Sequence, residues 1–137
     1  MSVEAIKIVA TAKFDIFDLN LREDGILHVH IYGEIPINIS QYKSLIGKMG
    51  EVTSGGKVPI LATADELQIP EEEVRKYMLS SDSNPYSLAT ALIAHSISQK
   101  LVGNFFQSVM KPRRPIKIFT NEQRAVEWLK EFESLKV

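Results

Sequence analysis

Residues 87–106, SLATALIAHSISQKLVGNFF, decide the fold class of this chain. The first half is continuously apolar over residues 88–94, a pattern that fits either a strand buried on both faces or a helix. In the second half Ile97, Leu101 and Phe105 recur at every fourth residue, which is the spacing of a helix with one apolar face. The stretch therefore contains two elements or one long helix.

The junction between the two halves carries a signal for the start of a helix. Ser96 and Gln99 have the spacing of a capping box, in which each side chain bonds the other residue's backbone N–H. A helix is therefore predicted to begin at Ser96. Residues 88–94 are predicted to form a buried strand, because one helix across both halves would be unusually long.

Residues 17–31, FDLNLREDGILHVHI, predict an antiparallel hairpin. Apolar and polar residues alternate on both sides of Asp24-Gly25, a dipeptide typical of hairpin turns. Each strand is therefore expected to have one dry and one wet face. The preceding residues 3–12 fit a strand or a helix equally well.

The rest of the chain alternates between helical and extended patterns. A helix stripe follows Asn38, whose spacing to Gln41 is that of a capping box, and Gly50 is a plausible stop. The complete prediction is an α/β fold in the order ββαβαβαβα, with strands at 57–64, 88–94 and 116–119, helices at 69–78 and 96–110, and a last helix capped by Thr120. Alternating strands and helices imply parallel pairing through right-handed crossovers.

The bulk properties limit the class of protein. A length of 137 residues suits a single domain over 1–137, with residues 1–12 as an extension or an extra strand. The net charge of −1 argues against a nucleic-acid partner, and no apolar run is long enough to span a membrane. There is no cysteine, and no signal peptide is expected, so we expect a cytoplasmic protein.

Three strings resemble the small STAS-like (SpoIIAA-like) proteins of bacteria: REDGILHV, ALIAHSISQKLVGNFF and KPRRPIKIFTNEQRAVEWLKEF. The resemblance covers roughly residues 13–134, and its motifs are structural rather than catalytic. It implies a mixed sheet that begins with the hairpin and has helices mainly on one face. Known relatives include antagonists of anti-sigma factors, regulatory domains of transporters and domains related to lipid carriers.

The antagonists in that family carry a phosphorylatable serine at the start of a helix that follows a central strand. The matching strand here is PILATA, residues 59–64, and no serine occupies the turn after it. Thr63 is the only hydroxyl nearby, and Asp65 stands close to the expected place. The resemblance therefore does not predict a phosphoswitch.

Parallel sheets bind ligands beyond the carboxyl ends of their strands, where helix N-termini offer free N–H groups to anions. This predicts a ligand-binding rim that contains Thr63, Asp65, His95, Ser96 and Thr120. The ordinary structural interpretation is that Ser96 only caps its helix and that His95 is a packed neighbour.

Two other groups of residues are candidates for binding. Lys111, Arg113 and Arg114 form a basic turn that suits an anion or an acidic partner, or is simply a solvated loop. His28 and His30 share one face of a strand, but no third ligand stands at a recognisable spacing, so no metal site is predicted.

No catalytic motif, nucleotide-binding loop or cofactor-binding pattern is present, so an enzyme is not expected. The leading prediction is a non-catalytic regulatory module that binds a protein partner, including a second copy of itself as a dimer. The alternative is a carrier of a small ligand or lipid, with the helix 97–110 lining a pocket. The ordinary interpretation of that apolar stripe is core.

Overall fold

The computed structural model describes residues 6–80, 83–110 and 114–132. The elements follow one another as β1 (Ile8–Phe14), β2 (Phe17–Arg22), β3 (Leu27–Ile31), α1 (Ile39–Val52), β4 (Val58–Ala64), α2 (Glu72–Met78), β5 (Ser87–Ile93), α3 (Ile97–Asn104), β6 (Ile116–Phe119) and α4 (Glu122–Lys130). A π-helical segment, Phe105–Met110, continues α3. The strand and the helix predicted on either side of Ser96 are both confirmed.

The strands form one mixed sheet in the order β1-β2-β3-β4-β5-β6. β1, β2 and β3 pair antiparallel, and β3, β4, β5 and β6 pair parallel. The predicted hairpin is β2 and β3, and its turn contains Gly25 with φ +87°, a value that favours glycine. The segment that fitted a strand or a helix contributes β1, an additional strand at the edge of the sheet.

The two faces of the sheet differ because successive side chains of a strand point to opposite sides. One face, here called the cavity face, includes Val29 and its neighbour Ala62. The other, here called the histidine face, includes His28, His30 and Leu61. The alternation that predicted the hairpin therefore separates apolar from polar side chains across the thickness of the sheet.

The order of the strands explains which helices cover which face. Strands β3 to β6 are added in sequence order through right-handed crossovers, so α1, α2 and α3 all fall on the cavity face. Helix α4 follows the last strand and packs Ala125 and Leu129 against Leu61 and Ala91 on the histidine face. The prediction of helices mainly on one face is confirmed.

Helix α1 begins as predicted and ends later. Asn38 Oδ1 accepts a hydrogen bond from Gln41 N (2.8 Å), and Gln41 Oε1 accepts one from Asn38 N (3.0 Å). The helix runs past Gly50 to Val52, so Gly50 is not its stop. A Cβ at Gly50 would lie 2.7 Å from the ring of Tyr86, and glycine thus lets this ring pack against the helix.

None of the helices in the described part of the chain combines the length and the apolar character that crossing a membrane requires.

Candidate functional site

A cavity of about 450 Å³ lies between the cavity face and the helices that cover it. Its floor is apolar and includes Val29 and Ile31 of β3, Ile60 and Ala62 of β4, and Leu92 of β5. These residues lie side by side because the parallel register sets Val29 beside Ala62 and Ala62 beside Leu92. The volume falls within the range of roughly 300–1,000 Å³ that is typical of small-molecule sites.

The walls of the cavity come from the covering helices. Tyr42, Leu45 and Met49 of α1 follow one another at spacings of three and four, so one side of the helix faces the floor. Met78 at the end of α2 and Phe106 in the π-helical segment complete the wall. Burial raises the pKa of Tyr42 to about 12, so its phenol is neutral at physiological pH.

Polar and exposed residues lie at the two ends of the cavity. At the carboxyl ends of β3 and β4 they are Ile35, which is 77% exposed, and Glu66 and Gln68. Asn84 and Arg114 lie at the opposite end, where β5 and β6 begin. The cavity is therefore apolar in the middle and polar at both ends.

The structure does not bring the predicted rim residues into this cavity. Thr63 and Asp65 lie with His28 and His30 on the histidine face. Thr63 Oγ1 is 2.8 Å from His28 Nε2 and 2.6 Å from His30 Nδ1. The Nε2 atom of His30 is 3.1 Å from Asp65 Oδ1. None of these four residues lines the cavity, and no spacing in the sequence links residues that are 35 positions apart.

The chemistry of the groups fixes the direction of these hydrogen bonds. Hydrogen bonds from His30 and from the backbone N–H of Gly33 lower the pKa of Asp65, so this carboxylate only accepts. His30 Nε2 therefore donates, and in neutral His30 Nδ1 accepts from the hydroxyl of Thr63. The oxygen of Thr63 then accepts from His28 Nε2, and burial lowers the pKa of His28, which favours its neutral form.

This network resembles a hydroxyl–imidazole–carboxylate relay, but it lies on the sheet surface rather than in the cavity. The side-chain oxygens of Thr63 and Asp65, both ring nitrogens of His30 and Nε2 of His28 have partners within the protein, which accounts for these side chains as a stabilising network. Within the described ranges, no three or more side chains of His, Asp or Glu are arranged to hold a metal ion.

The junction at His95 and Ser96 is a helix start. Ser96 Oγ accepts a hydrogen bond from Gln99 N at 3.1 Å, as in a capping box. Gln99 Oε1 accepts from the backbone N–H of His95 at 2.7 Å rather than from that of Ser96, and Gln99 Nε2 donates to the carbonyl of Asp65. His95 is exposed, not packed as the structural interpretation expected. Gln99 thus ties the start of α3 to the end of β4.

The last helix begins one residue later than predicted. Asn121, not Thr120, caps α4 and accepts a hydrogen bond from Arg124 N at 3.0 Å. Thr120 is exposed and does not line the cavity.

The basic turn contributes one residue to the cavity. Arg114 is exposed and lines the end where β6 begins. Lys111 and Arg113, the other two predicted contacts, lie outside the described residues. Of the helix 97–110, Phe106 is the described residue that lines the cavity, and Leu101 is 66% exposed.

Comparisons with known proteins identify a family but no activity. A family model described as a domain of unknown function (DUF7793) matches residues 19–133. A solved structure that is similar is the crystal structure of an uncharacterized protein of the DUF3478 family, with a SpoIIAA-like fold, from Shewanella loihica PV-4. The match covers 94% of this chain and 98% of that one, with 16% identity and a TM-score of 0.49. The resemblance predicted from the sequence agrees with that fold description. No curated protein matches the sequence.

Proposed function

The chain belongs to the family defined by this domain of unknown function, and from that premise we propose that it is a non-catalytic binding protein whose cavity takes a small apolar ligand. The observation that carries the proposal is the cavity of about 450 Å³ between sheet and helices. Protein interiors are close-packed, with few voids larger than a water molecule. An apolar space of this size is therefore the expected form of a site for an apolar molecule.

The position of the cavity supports the same conclusion. Its floor combines three strands, and its walls include α1 and the π-helical segment, a kind of segment that is frequent at functional sites. Ile35 lies at one end with most of its side chain in contact with solvent. A small ligand thus has a way in from that end.

The proposal is tested by a titration with N-phenyl-1-naphthylamine, a neutral apolar dye that fluoresces when it leaves water. We expect saturable binding to the wild-type protein and a loss of at least tenfold in affinity for Ala62→Leu, whose larger side chain enters the cavity. Ala91→Leu is the matched control, because Ala91 is buried against α4 on the histidine face. Its folded state is checked by circular dichroism before the titration.

Two results would contradict the proposal. The first is that the wild-type protein binds no dye at concentrations that saturate known carriers. The second is equal binding of the dye to the wild-type protein and to Ala62→Leu, which would place the dye elsewhere. Native mass spectrometry of freshly purified protein adds an independent reading, since a retained ligand appears as extra non-covalent mass.

A second candidate function, the protein-interaction module predicted from the sequence, is supported by the edge of the sheet. β1 pairs with β2 on one side, and among the described residues no strand pairs with its other side. Ile8 and Val9 are exposed on this edge. An open, apolar edge strand is a template for pairing with a second copy of the chain.

If β1 pairs with β1 of a second copy, sedimentation velocity should show a dimer for the wild type and a monomer for Val9→Lys. A monomeric wild type would refute this pairing.

A further inference from the structure

At the end of the cavity where β5 and β6 begin, the pairing of β4 with β5 is irregular. Val58 is the partner of Ser87, but the next pair is Pro59 with Ala89, so Leu88 is an extra residue in β5. Pro59 has no backbone N–H to donate, and such residues are found in sheets at edges and bulges. The bulge thus lies beside a residue that cannot donate a backbone hydrogen bond to the neighbouring strand.

The bulge changes which side chains face the cavity. Residues three apart in a regular strand point to opposite faces, yet Ser87 and Thr90 both line the cavity. Their hydroxyl oxygens are 3.4 Å apart, longer than the ~2.7–2.8 Å that is usual between hydroxyl groups. Ser87 is only 2% exposed. The bulge therefore places two weakly paired hydroxyl groups beside an apolar floor.

A positive charge stands at the same end. The N–H of Thr90 donates to the carbonyl of Pro115 at 2.9 Å, and Thr90 is the register partner of Ile116. Arg114, two residues before Ile116, lies on the same face and lines the cavity. Among the described residues, no carboxylate forms an ion pair with Arg114.

The other end of the cavity has the opposite charge. Glu66 lines it just beyond the end of β4. Between the two ends the floor is apolar from Ile60 to Ala64, a distance of four residue steps or about 13 Å along the strand. The charges therefore favour one orientation for an elongated ligand, with an anionic group near Arg114 and away from Glu66.

We infer that the ligand is an amphiphile with a carboxylate head and an unbranched alkyl tail. This inference rests on the proposed binding function and names the class of its ligand. The carboxylate accepts hydrogen bonds from the hydroxyl groups of Ser87 and Thr90 and pairs with Arg114. The tail lies along Ile60 and Ala62 toward Ala64.

The test compares three molecules with the same tail: decanoate, decan-1-ol and decylamine. Each displaces N-phenyl-1-naphthylamine, a dye without charge, from the wild-type protein. We expect decanoate to bind at least tenfold more tightly than decan-1-ol. Decylamine can place its ammonium group only near Glu66, so its affinity should not fall in Arg114→Met. In Arg114→Met the preference for decanoate over decan-1-ol should fall at least fivefold.

Two further variants separate the hydroxyl groups from the charge. Thr90→Val keeps the shape of the side chain and removes its hydroxyl, and Ser87→Ala does the same at the second position. Each should weaken decanoate several-fold and weaken decan-1-ol less, because a hydrogen bond to a carboxylate is stronger than one to a neutral hydroxyl group. Arg124→Met is the matched control, since Arg124 is an exposed arginine of α4 that does not line the cavity. This variant should keep the full preference.

The outcomes distinguish the two proposals. Dye binding with equal affinities for decanoate and decan-1-ol overturns the carboxylate inference and leaves the apolar cavity standing. A preference for decanoate that Arg114→Met retains also overturns the inference. Absence of saturable dye binding to the wild-type protein overturns the proposed function itself.

Discussion

The sharpest test of the cavity is to make the same substitution on both faces of the sheet. Ala62 in β4 lines the cavity, and Ala91 in β5 is fully buried against α4 on the opposite face. Alanine to leucine adds three carbon atoms at either position. The reasoning predicts opposite effects on stability, because one side chain enters empty space and the other enters a packed interface.

The magnitudes follow from the two environments. At Ala62, burying three more carbon atoms is worth at most about 2.4 kcal/mol at ~0.8 kcal/mol each, so we expect a gain between about 0 and 2 kcal/mol. At Ala91, forcing extra carbons into a packed core costs about 1–3 kcal/mol. For 137 residues, 1 kcal/mol corresponds to about 3.5 °C in Tm, since the unfolding entropy is about 2.1 cal/mol/K per residue.

The assay is thermal unfolding followed by circular dichroism, supported by urea unfolding at 25 °C. Ala62→Leu should keep or raise the Tm by up to about 7 °C, and Ala91→Leu should lower it by about 3–10 °C. Equal destabilisation by the two variants would refute the reasoning, because it would mean that the space above Ala62 is as tightly packed as the space below α4. A ligand at 100 times its wild-type Kd should add about 2.7 kcal/mol to the wild type and at most about 1.4 kcal/mol to Ala62→Leu, whose Kd is at least tenfold higher.

Three further predictions concern the parts of the fold around the cavity. The pKa of His28 is lowered by burial and by the charges of His30 and Arg22, while Glu122 and Asp18 oppose this shift. Below about pH 6.5 the unfolded state therefore binds more protons than the folded state. The free energy of unfolding in urea should therefore be highest above that pH and fall as the pH decreases. His28→Gln should make this fall with pH smaller, and an unchanged pH dependence would contradict the role of His28. A Cβ at Gly103 would overlap the Cδ1 methyl of Ile118 and lie 2.8 Å from its Cγ1. Gly103→Ala should therefore destabilise the wild type in urea unfolding and cost clearly less in an Ile118→Ala background, which lacks both atoms; an equal cost in the two backgrounds would refute the contact. Ser96→Ala should lower the free energy of unfolding by about 1 kcal/mol in urea, since it removes the cap of α3. Dye binding should not change, and weaker dye binding would indicate that Ser96 contributes to the binding site.

The sequence predicts those parts of the fold that depend on neighbouring residues. The alternation around Asp24-Gly25, the capping pairs Asn38–Gln41 and Ser96–Gln99, and the apolar run of β5 each reflect interactions within a few positions. These local patterns also give the order of strands and helices. The handedness of parallel crossovers then places three helices on one face.

The boundaries that were wrong depended on contacts with distant residues. Gly50 has the local character of a helix stop, but α1 continues for two more residues, and the ring of the distant Tyr86 packs against Gly50. The sequence of residues 3–12 fitted either a strand or a helix. The reason is that β1 lies at the edge of the sheet and is largely exposed, so its apolar and polar residues alternate only weakly.

The candidate site was decided by the tertiary structure. The sequence pointed to Arg114, but neither the cavity nor the hydroxyl pair of Ser87 and Thr90 has a sequence signal. Three positions of separation place those two residues on opposite faces unless a bulge intervenes, and that bulge appears only when β5 pairs with β4. The network of Thr63 with His28 and His30 likewise arises from the parallel register of β3 and β4. Local chemistry thus determined the elements of this protein, while the register between strands that are far apart in the chain determined which side chains meet.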